Sequence, residues 1–407
     1  MQRQKLILMN IKTSLIAICL FSVGVISAQE SNSPKFGKGL FNLVGKDSTW
    51  TMKIGARMQF LGTTQWESRS SGLSNQETSL LVRRARLKFG GFAFSPKLKY
   101  KLELGLSNKD IGGASEFTNN APRYILDAVM KWNFHENFEL WFGQTKLPGN
   151  RERVISSGNL QQVDRSLLNK RFNIDRDMGV QLRHHFKLSD KFVVKEALSI
   201  AQGEGRNVTT GNLGGFQYTA RLELLPFGNF TSKGDYSGAD LKREKNLKVA
   251  FGTSYDLNNN AVKTRSNQGS YMKNDVGFYE TNISTLFMDA MLKYKGYSFM
   301  AEYALRDAKD PFAKNSDNSL TGDVVTVGNS LNLQSGYLFS NNWEFSGRYT
   351  NVTYDNVVGK GAENQYTLGL SKYIAGHKLK VQTDMSYLDL VGKTNQVQFR
   401  LQVDVHF

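Results

Sequence analysis

The sequence of 407 residues contains very little that could support thiol or metal chemistry. Its one cysteine, Cys19, lies in an apolar N-terminal stretch that we expect to be removed. The remaining chain would have no thiol, which excludes disulfides and cysteine catalysis. None of the five histidines forms a cluster with metal-ligand spacing, so the sequence predicts neither a metal site nor a cofactor.

Long apolar runs are also absent after residue 28, and the mean hydropathy is -0.41. A membrane-spanning helix needs about 20 consecutive, mostly apolar residues. The composition therefore excludes a helical membrane protein. It does not exclude a membrane β-barrel, because the strands of such a barrel are only half apolar.

The N-terminus has the pattern of an export signal. Arg3, Lys5 and Lys12 precede an apolar stretch at 15–26, and Ser27 and Ala28 offer a cleavage edge. The stretch is short for a membrane anchor, so we predict that residues 1–28 are a cleaved signal peptide. Residues 29–49 show no period, and we expect them to form a periplasmic lead-in or a plug element.

The formal charge of +16 at pH 7 includes the three cations of the predicted signal. In a soluble protein such a charge would suggest nucleic acid as a partner. Here the cations are spread along the chain and no nucleic-acid motif is present, so we predict no nucleic-acid partner.

Alternation of apolar and polar residues is the dominant pattern in the rest of the chain. The C-terminal segment 396–407 alternates without a break and ends in Phe407, and similar segments recur about sixteen times. A period of two indicates a strand with one apolar and one polar face. We therefore predict an all-β fold over residues 50–407, an antiparallel transmembrane barrel of about 16 strands with its polar face toward a lumen.

The connections between these segments alternate in length, as expected for a barrel with periplasmic turns and outer loops. Those after even strands are mostly tight, at 135–137, 188–191, 295–296, 341–342 and 375–376, with 226–245 as an exception. Those after odd strands are predicted to be long, at 62–78, 107–123, 147–176, 203–215, 258–282 and 308–328. Aromatic residues, Tyr373 among them, flank the tight turns and predict an inner interfacial girdle. A secreted β-sandwich would explain neither feature.

Many cations fall on the predicted lumen face, where they avoid the roughly 2–4 kcal/mol cost of facing lipid at mid-depth. We expect the anion-binding, pore-lining set to be Arg57, Arg84, Arg86, Lys88, Lys99, Lys131, Arg183 and Arg221. Arg84, Arg86 and Lys88 form a stack on one face of one strand without an acid between them. An anion could pass from one cation to the next. Because strand acids also face inward, the alternative is a charge-mixed wall that braces the barrel.

Two further features of the first half bear on the lumen. Arg83 falls on the lipid-facing side of the second strand, so we expect it at a rim or against a neighbouring subunit. The connection 147–176 is too long for a simple loop. We hypothesise that it folds into the lumen and narrows it, with four candidate constriction residues, Arg151, Arg153, Arg165 and Arg176. The alternative is a solvated outer loop.

Several short motifs occur in an order that resembles the phosphate-selective porin O and P family. They are the segments at 81–89 (LVRRARLKF), 142–148 (FGQTKLP), 156–157 (SS), 164–166 (DRS) and 176–182 (RDMGVQL). Asp164 departs from the family pattern, where we expect Glu. The resemblance implies a sixteen-stranded outer-membrane porin that forms homotrimers and passes small anions, phosphate or polyphosphate among them.

Other functions compete with this interpretation. A weakly selective general porin, or a structural or adhesin-type barrel without transport, would use the same strand pattern. A barrel enzyme would need histidine at the outer rim, and we expect none there, so we predict that the chain is not an enzyme. The expected partners are outer-membrane lipid, small anions and, through Phe407, the barrel-assembly machinery.

Overall fold

A computed structural model describes residues 35–407, so the predicted signal peptide at 1–28 lies outside the described residues. Within the described part, sixteen antiparallel strands form one sheet that closes on itself, because the first strand pairs with both the second and the last. The predicted all-β barrel is confirmed. Its strands are β1 Thr51–Arg69, β2 Gly72–Ala93, β3 Ser95–Gly105, β4 Ile125–His135, β5 Phe138–Lys146, β6 Arg176–Lys187, β7 Val193–Ala201, β8 Gln217–Leu225, β9 Lys248–Ala261, β10 Thr281–Tyr294, β11 Tyr297–Ala308, β12 Gly328–Leu338, β13 Trp343–Tyr354, β14 Glu363–Tyr373, β15 Leu379–Leu390 and β16 Asn395–His406.

The remaining elements are short and lie in the connections. The α-helices α1 Arg151–Val154 and α2 Leu167–Phe172 belong to the β5–β6 connection. The 3-10 turns span Glu116–Thr118, Ser157–Asn159, Thr231–Tyr236 and Asn356–Val358. Outer loops carry the hairpin strands Lys263–Arg265, Gln268–Tyr271, Lys273–Asn274, Gly277–Phe278, Phe312–Lys314 and Leu320–Val324. No helix of residues 35–407 is long and apolar enough to cross a membrane.

The described part of the predicted lead-in adds one short strand to the barrel. Phe41–Val44 pairs with residues 51–54 at the start of β1. The ring of Phe36 lies 6.1 Å from that of Phe407, edge to face. This segment therefore lies at the end of the barrel where the tight turns are.

Alternation along each strand separates the two faces, as the sequence predicts. In β16, Phe399 and Leu401 are exposed on the outside, whereas Gln402 and Asp404 are buried on the inside. The inside is polar yet buried because other parts of the chain fill much of the lumen.

The first hairpin differs from its prediction. The sequence predicts a loop at 62–78, but the two strands continue and leave only Ser70 and Ser71 as the turn. Polar residues occupy this extension, with Thr78 bonded to Thr64 across the pair. The strands pair beyond the end of the apolar alternation because the backbone hydrogen bonds of the ladder need no apolar side chain. The sequence pattern therefore ends before the strand does.

The position of Arg83 is a second correction. The ladder pairs Gln59 with Arg84 but Phe60 with Val82, so Arg83 is an extra residue in a β-bulge. A bulge changes the side on which the following residues face. It lets Arg83 reach the carboxylate of Asp164 in the β5–β6 connection at 2.8 Å, so the side chain does not face lipid as the alternation predicts.

The aromatic girdle is present at the tight turns, with exposed Phe134, Tyr294, Phe339 and Trp343. Tyr373 does not belong to it. Its side chain is buried and its hydroxyl donates to the carboxylate of Glu344 at 2.6 Å, inside the barrel. The hydroxyl of Tyr373 finds a hydrogen-bond acceptor inside the barrel. The alternation of apolar residues does not show that such an acceptor exists.

Candidate functional site

The connection between β5 and β6, residues 147–175, lies inside the barrel, and we call it the lumen loop. Its backbone and side chains bond to wall carboxylates on several strands. The amide of Glu152 donates to Glu302 (2.6 Å) and Gln161 donates to Glu344 (2.6 Å). The amide of Val163 donates to Asp384 at 3.2 Å. These contacts reach β11, β13 and β15, so the loop crosses the lumen.

The lumen loop is held there by apolar residues at its two ends. Leu147, Leu168, Phe172 and Ile174 are fully buried in a cluster that includes Phe287 of the wall. Burial of such a side chain stabilises the packed state by about 1.5–3 kcal/mol. Part of the polar lumen is therefore covered by a small apolar core that keeps the loop in place.

Arg57 links the wall to the tip of the lumen loop. Its guanidinium donates to Asp404 on β16 (2.9 and 2.8 Å) and to the hydroxyl of Ser157 (2.7 Å). The side chain of Arg57 is only 1% exposed. Its charge is therefore neutralised by one acid and removed from the open lumen.

Arg84 and Arg86 are also buried against acids, although none lies between them on β2. Arg86 donates to Asp110 of the β3–β4 loop at 2.5 Å and to Glu103 of β3 at 2.9 Å. Arg84 donates to Asp164 of the lumen loop at 3.3 Å. These arginines brace the loops against the wall.

Asp164 shows how strongly this arrangement favours ionised groups. Burial opposes ionisation of its carboxyl group, but Arg83 and Arg84 outweigh that cost and hold the pKa of Asp164 well below its usual range. The carboxylate therefore stays charged at physiological pH and cancels part of the arginine charge.

Arg151 and Arg221 share two acids at the opposite wall. Arg151 lies 2.6 Å from Asp289 and 3.6 Å from Glu223, and Arg221 lies 2.8 Å and 2.7 Å from the same two carboxylates. Two cations from different elements and two anions thus form one buried, neutral cluster that fixes α1 to the wall.

The other three predicted constriction residues are bonded as well. Arg153 pairs with Asp175 within the lumen loop, and Arg176 lies 2.9 Å from Asp127. Arg165 donates to two backbone carbonyls of its own loop, at 2.9 and 2.7 Å. Its burial lowers the pKa of Arg165 to about 10, so it remains charged at physiological pH.

The lysines and Arg183 of the predicted set have different surroundings. Lys131 lies 3.5 Å and Arg183 4.1 Å from the ring centroid of Trp141, which stands between them on the neighbouring strand. Lys99 is exposed next to Lys131 in the ladder, and Lys88 lies 3.7 Å from Glu103. Cation–π contacts hold Lys131 and Arg183 without cancelling their charge.

The β8–β9 connection, residues 226–247, also enters the barrel, and we call it the turn insert. It comes from the end with the tight turns, which we assign to the periplasmic side. Asp235 pairs with Lys195 (2.6 Å), Tyr236 donates to Glu223 (2.7 Å), and the amide of Gly238 donates to Asn159 of the lumen loop (2.6 Å). Its unusual length is the one signal of this insertion in the sequence.

A cavity of about 1150 Å³ lies among the wall, the tip of the lumen loop and the turn insert. Thirteen Lys and Arg line it: Arg86, Lys88, Lys101, Lys131, Lys146, Arg176, Arg183, Lys195, Arg221, Lys233, Lys242, Lys293 and Lys378. Eight acids line it: Glu103, Asp127, Glu139, Glu196, Glu223, Asp235, Asp240 and Glu244. The cavity is therefore positive overall.

The acids and cations of this cavity differ in their pairing. Each of the eight carboxylates takes part in a hydrogen bond. Among the described residues, seven of the cations have no carboxylate partner, and two of those seven, Lys146 and Lys293, are held by backbone carbonyls. The five that remain are Lys131, Arg183, Lys233, Lys242 and Lys378.

Comparison with known families agrees with this geometry. Residues 65–404 match the model of the family described as phosphate-selective porin O and P. The chain belongs to this family. As a porin with a closed sixteen-stranded barrel, it is an integral protein of the outer membrane and a channel rather than an enzyme. An uncharacterised protein of Aquifex aeolicus is 26% identical to this porin in an alignment 353 residues long, which covers 80% of this chain and 79% of that protein.

Solved structures show the same fold at low sequence identity. The outer membrane channel DcaP of Acinetobacter baumannii has a TM-score of 0.52 and 13% identity, covering 89% of this porin and 99% of that chain. An anion-selective porin from Comamonas acidovorans has a TM-score of 0.53 and 12% identity, covering 88% and 100%. These similarities support the barrel fold alone.

Proposed function

We propose that this porin lets small anions, phosphate among them, diffuse passively across the outer membrane. The observation that carries the proposal is the unequal pairing in the lumen cavity. Every acid there is bonded, whereas seven cations have no carboxylate partner and five of these are not held by backbone carbonyls either. Such cations attract an anion through several weak sites, so it can enter and also leave. The family name and the anion-selective porin from Comamonas acidovorans add support by analogy.

The proposal reassigns the roles of the predicted site residues. Arg57, Arg84, Arg86, Arg221 and the four arginines of the lumen-loop region position the loop that narrows the pore. Anion attraction belongs to Lys131 and Arg183, with Lys99 next to Lys131 in the ladder, whereas Lys88 is paired with Glu103. The Trp141 ring keeps Lys131 and Arg183 in place at the wall of the cavity.

The test is the zero-current potential of the purified porin in a planar bilayer with a potassium chloride gradient. We expect a potential of the sign that anion preference gives. Adding phosphate should then lower the chloride current, because both anions compete for the same cations. A zero or cation-selective potential would refute the proposal and favour a weakly selective general porin. Absence of regular current steps would favour a structural barrel.

A charge-reversal variant distinguishes the effect of the wall cations on selectivity from the effect of the net charge of the porin. Lys131→Glu with Arg183→Glu should reduce anion preference, and more so at low salt, where screening is weak. Lys393→Glu, an exposed outer-turn position away from the cavity, also reverses a positive charge and should have little effect. Equal effects of the wall and outer-turn variants would assign selectivity elsewhere.

We further propose that the mature porin begins after residue 28, forms homotrimers and is recognised by the barrel-assembly machinery through Phe407. The signal pattern, the family membership and the C-terminal strand support these three statements. The mass of the purified protein tests the cleavage, and scattering mass in detergent tests the trimer. Loss of membrane insertion on deletion of Phe407 tests the recognition.

A further inference from the structure

The last strand of the barrel stops short of the first at the end with the tight turns. β16 ends at His406, which pairs with Arg57, whereas β1 begins further toward that end. The amide of Phe407 makes one more bond to β1, to the carbonyl of Ala56 at 2.9 Å. At the seam, where β1 meets β16, residues 51–55 of β1 therefore have an edge that β16 does not cover.

The lead-in covers this edge with the strand Phe41–Val44, which we call the lead-in strand. It pairs with residues 51–54 and runs in the same direction as β16, because both are antiparallel to β1. The amide of Leu40 donates to the carbonyl of Ile54 at 2.7 Å, two residues beyond the carbonyl that Phe407 uses. Along β1, the lead-in strand thus follows directly on the end of β16.

Glycines bring the chain before the lead-in strand close to the C-terminus. Gly39 has a φ of 110°, in the left-handed region, and a Cβ there would lie 3.0 Å from a carbonyl oxygen of β1. A Cβ at Gly37 would lie 2.7 Å from the side chain of Lys378 in the β14–β15 turn. The ring of Phe36 contacts the ring of Phe407. The lead-in therefore fills the space into which β16 would otherwise extend.

The pairing of the lead-in strand with β1 is local in sequence. Residues 45–50 join the two as a hairpin, in which the amide of Gly45 donates to the carbonyl of Trp50 at 2.9 Å. The pairing of β16 with β1 joins opposite ends of the sequence. Local contacts form first because they cost little loop-closure entropy. We therefore expect the hairpin to be on β1 before β16 closes the barrel.

The alternation of β16 does not by itself fix its position along β1. A shift by one residue would turn its apolar side chains inward, but a shift by two returns every side chain to its original face. A two-residue shift toward the tight turns would bring the amide of Phe407 to the carbonyl of Ile54. That carbonyl already accepts from Leu40. The lead-in thus blocks the shift that the side-chain pattern alone would permit.

We propose that the lead-in strand is a register stop for barrel closure. It limits how far β16 can slide along β1 and so selects the pairing of Arg57 with His406. The register at the seam contributes to the shear of the barrel, and shear and strand number together set the diameter. The stop therefore acts on the width of the barrel and is independent of which ion the pore prefers.

Pairs of cysteines on the lipid-facing side of the seam report the register. Phe60→Cys with Val403→Cys joins positions that are opposite each other in the structure. Met58→Cys with Val403→Cys joins positions that would be opposite only after the two-residue shift. Opposite side chains of antiparallel strands are the closest ones. In outer membranes treated with an oxidant, porin with an intact lead-in should therefore form the first cross-link in preference to the second. The chain after residue 28 contains no other cysteine.

Two variants remove the stop. Deletion of residues 36–44 should raise the yield of the shifted cross-link several-fold at the expense of the native one. Gly39→Val should act in the same direction, because a side chain there strains the backbone and meets β1. Gly113→Val is the matched control. A Cβ at this outer-loop position would meet nothing within 4 Å, so the register should stay unchanged.

The native cross-link alone in both lead-in variants would overturn the register stop. If the deletion variant does not reach the outer membrane, the same cysteine pairs are oxidised after refolding of the protein in detergent micelles. The native cross-link alone would again contradict the inference, whereas a shifted cross-link in the deletion variant and in Gly39→Val would support it.

Discussion

Arg151 offers a direct test of how the lumen loop is held. Its side chain is fully buried, bonds to Asp289 of the wall, and donates to the carbonyl of Asp235 in the turn insert at 3.1 Å. Arg151→Met would keep much of the apolar stem but leave the acids with one cation, Arg221. Removal of one partner of a buried pair costs about 3–5 kcal/mol. We take the lower end, because Arg221 still neutralises part of the charge.

Arg171 provides a matched control in the same loop. It forms a two-pronged pair with Glu363 on β14, but its side chain is 30% exposed. Pairs near the surface contribute about 1 kcal/mol or less. Arg171→Met should therefore destabilise the lumen loop much less than Arg151→Met does. The two substitutions share the residue type, the loop and the kind of ion pair.

Amide hydrogen exchange in detergent micelles measures the difference without unfolding the barrel. The amides of Val154 and Ile155 donate within α1, to the carbonyls of Asn150 and Arg151. A loss of about 3 kcal/mol corresponds to exchange faster by about a hundredfold, since each 1.4 kcal/mol is tenfold. If these amides in Arg151→Met exchange as slowly as in Arg171→Met, the buried cluster does not hold the loop.

Two further predictions concern other parts of the lumen and the outer loops. A Cβ at Gly158 would overlap the ring of His406, so Gly158→Val should displace the tip of the lumen loop and change the single-channel conductance, whereas an unchanged conductance would show that the tip does not limit the current. Glu204 lies in the β7–β8 loop, where burial and Asp177 raise its pKa to about 7 from a usual 4.5. Folded porin then keeps a proton that the unfolded chain has lost between these pH values, so stability should fall as pH rises from about 4.5 to 7. Glu204→Gln should remove that part of the slope, and parallel profiles of unfolding temperature against pH for the two proteins would contradict the assignment.

The barrel could be predicted from the sequence because the pattern that specifies it is local. Alternation in segments such as 396–407 depends on residues adjacent in the chain and on the lipid outside the barrel. It can therefore be recognised without knowing which strand is the partner. The bulge at Arg83 is different. It depends on how β2 pairs with β1. In the sequence, one extra residue looks the same as a single charged residue on the apolar face of the strand.

The course of the two inserted segments could be predicted only in part. The length and the arginines of the lumen loop distinguish it in the sequence and favour the hypothesis of an inward fold. The turn insert is also long, but its sequence does not show which of its charged residues are buried and which are exposed. All five line the cavity, but only the fold buries Asp235, Asp240 and Glu244 in hydrogen bonds while leaving Lys233 and Lys242 exposed. That separation depends on contacts with residues distant in the chain, among them Lys195 and Lys293.

The comparison of Arg86 with Lys131 shows why inward position alone does not identify a selective residue. Both side chains lie on the lumen side of the wall, and both were predicted to attract anions. A carboxylate from an outer loop, Asp110, reaches Arg86. The two opposite charges then act as a dipole, whose field falls off faster with distance than that of a single charge. Lys131 has an aromatic ring as its partner instead, and a ring leaves the net charge intact. Because selectivity depends on the charge that an ion encounters in the pore, we propose that cations without a carboxylate partner determine it, while paired arginines hold the lumen loop in place.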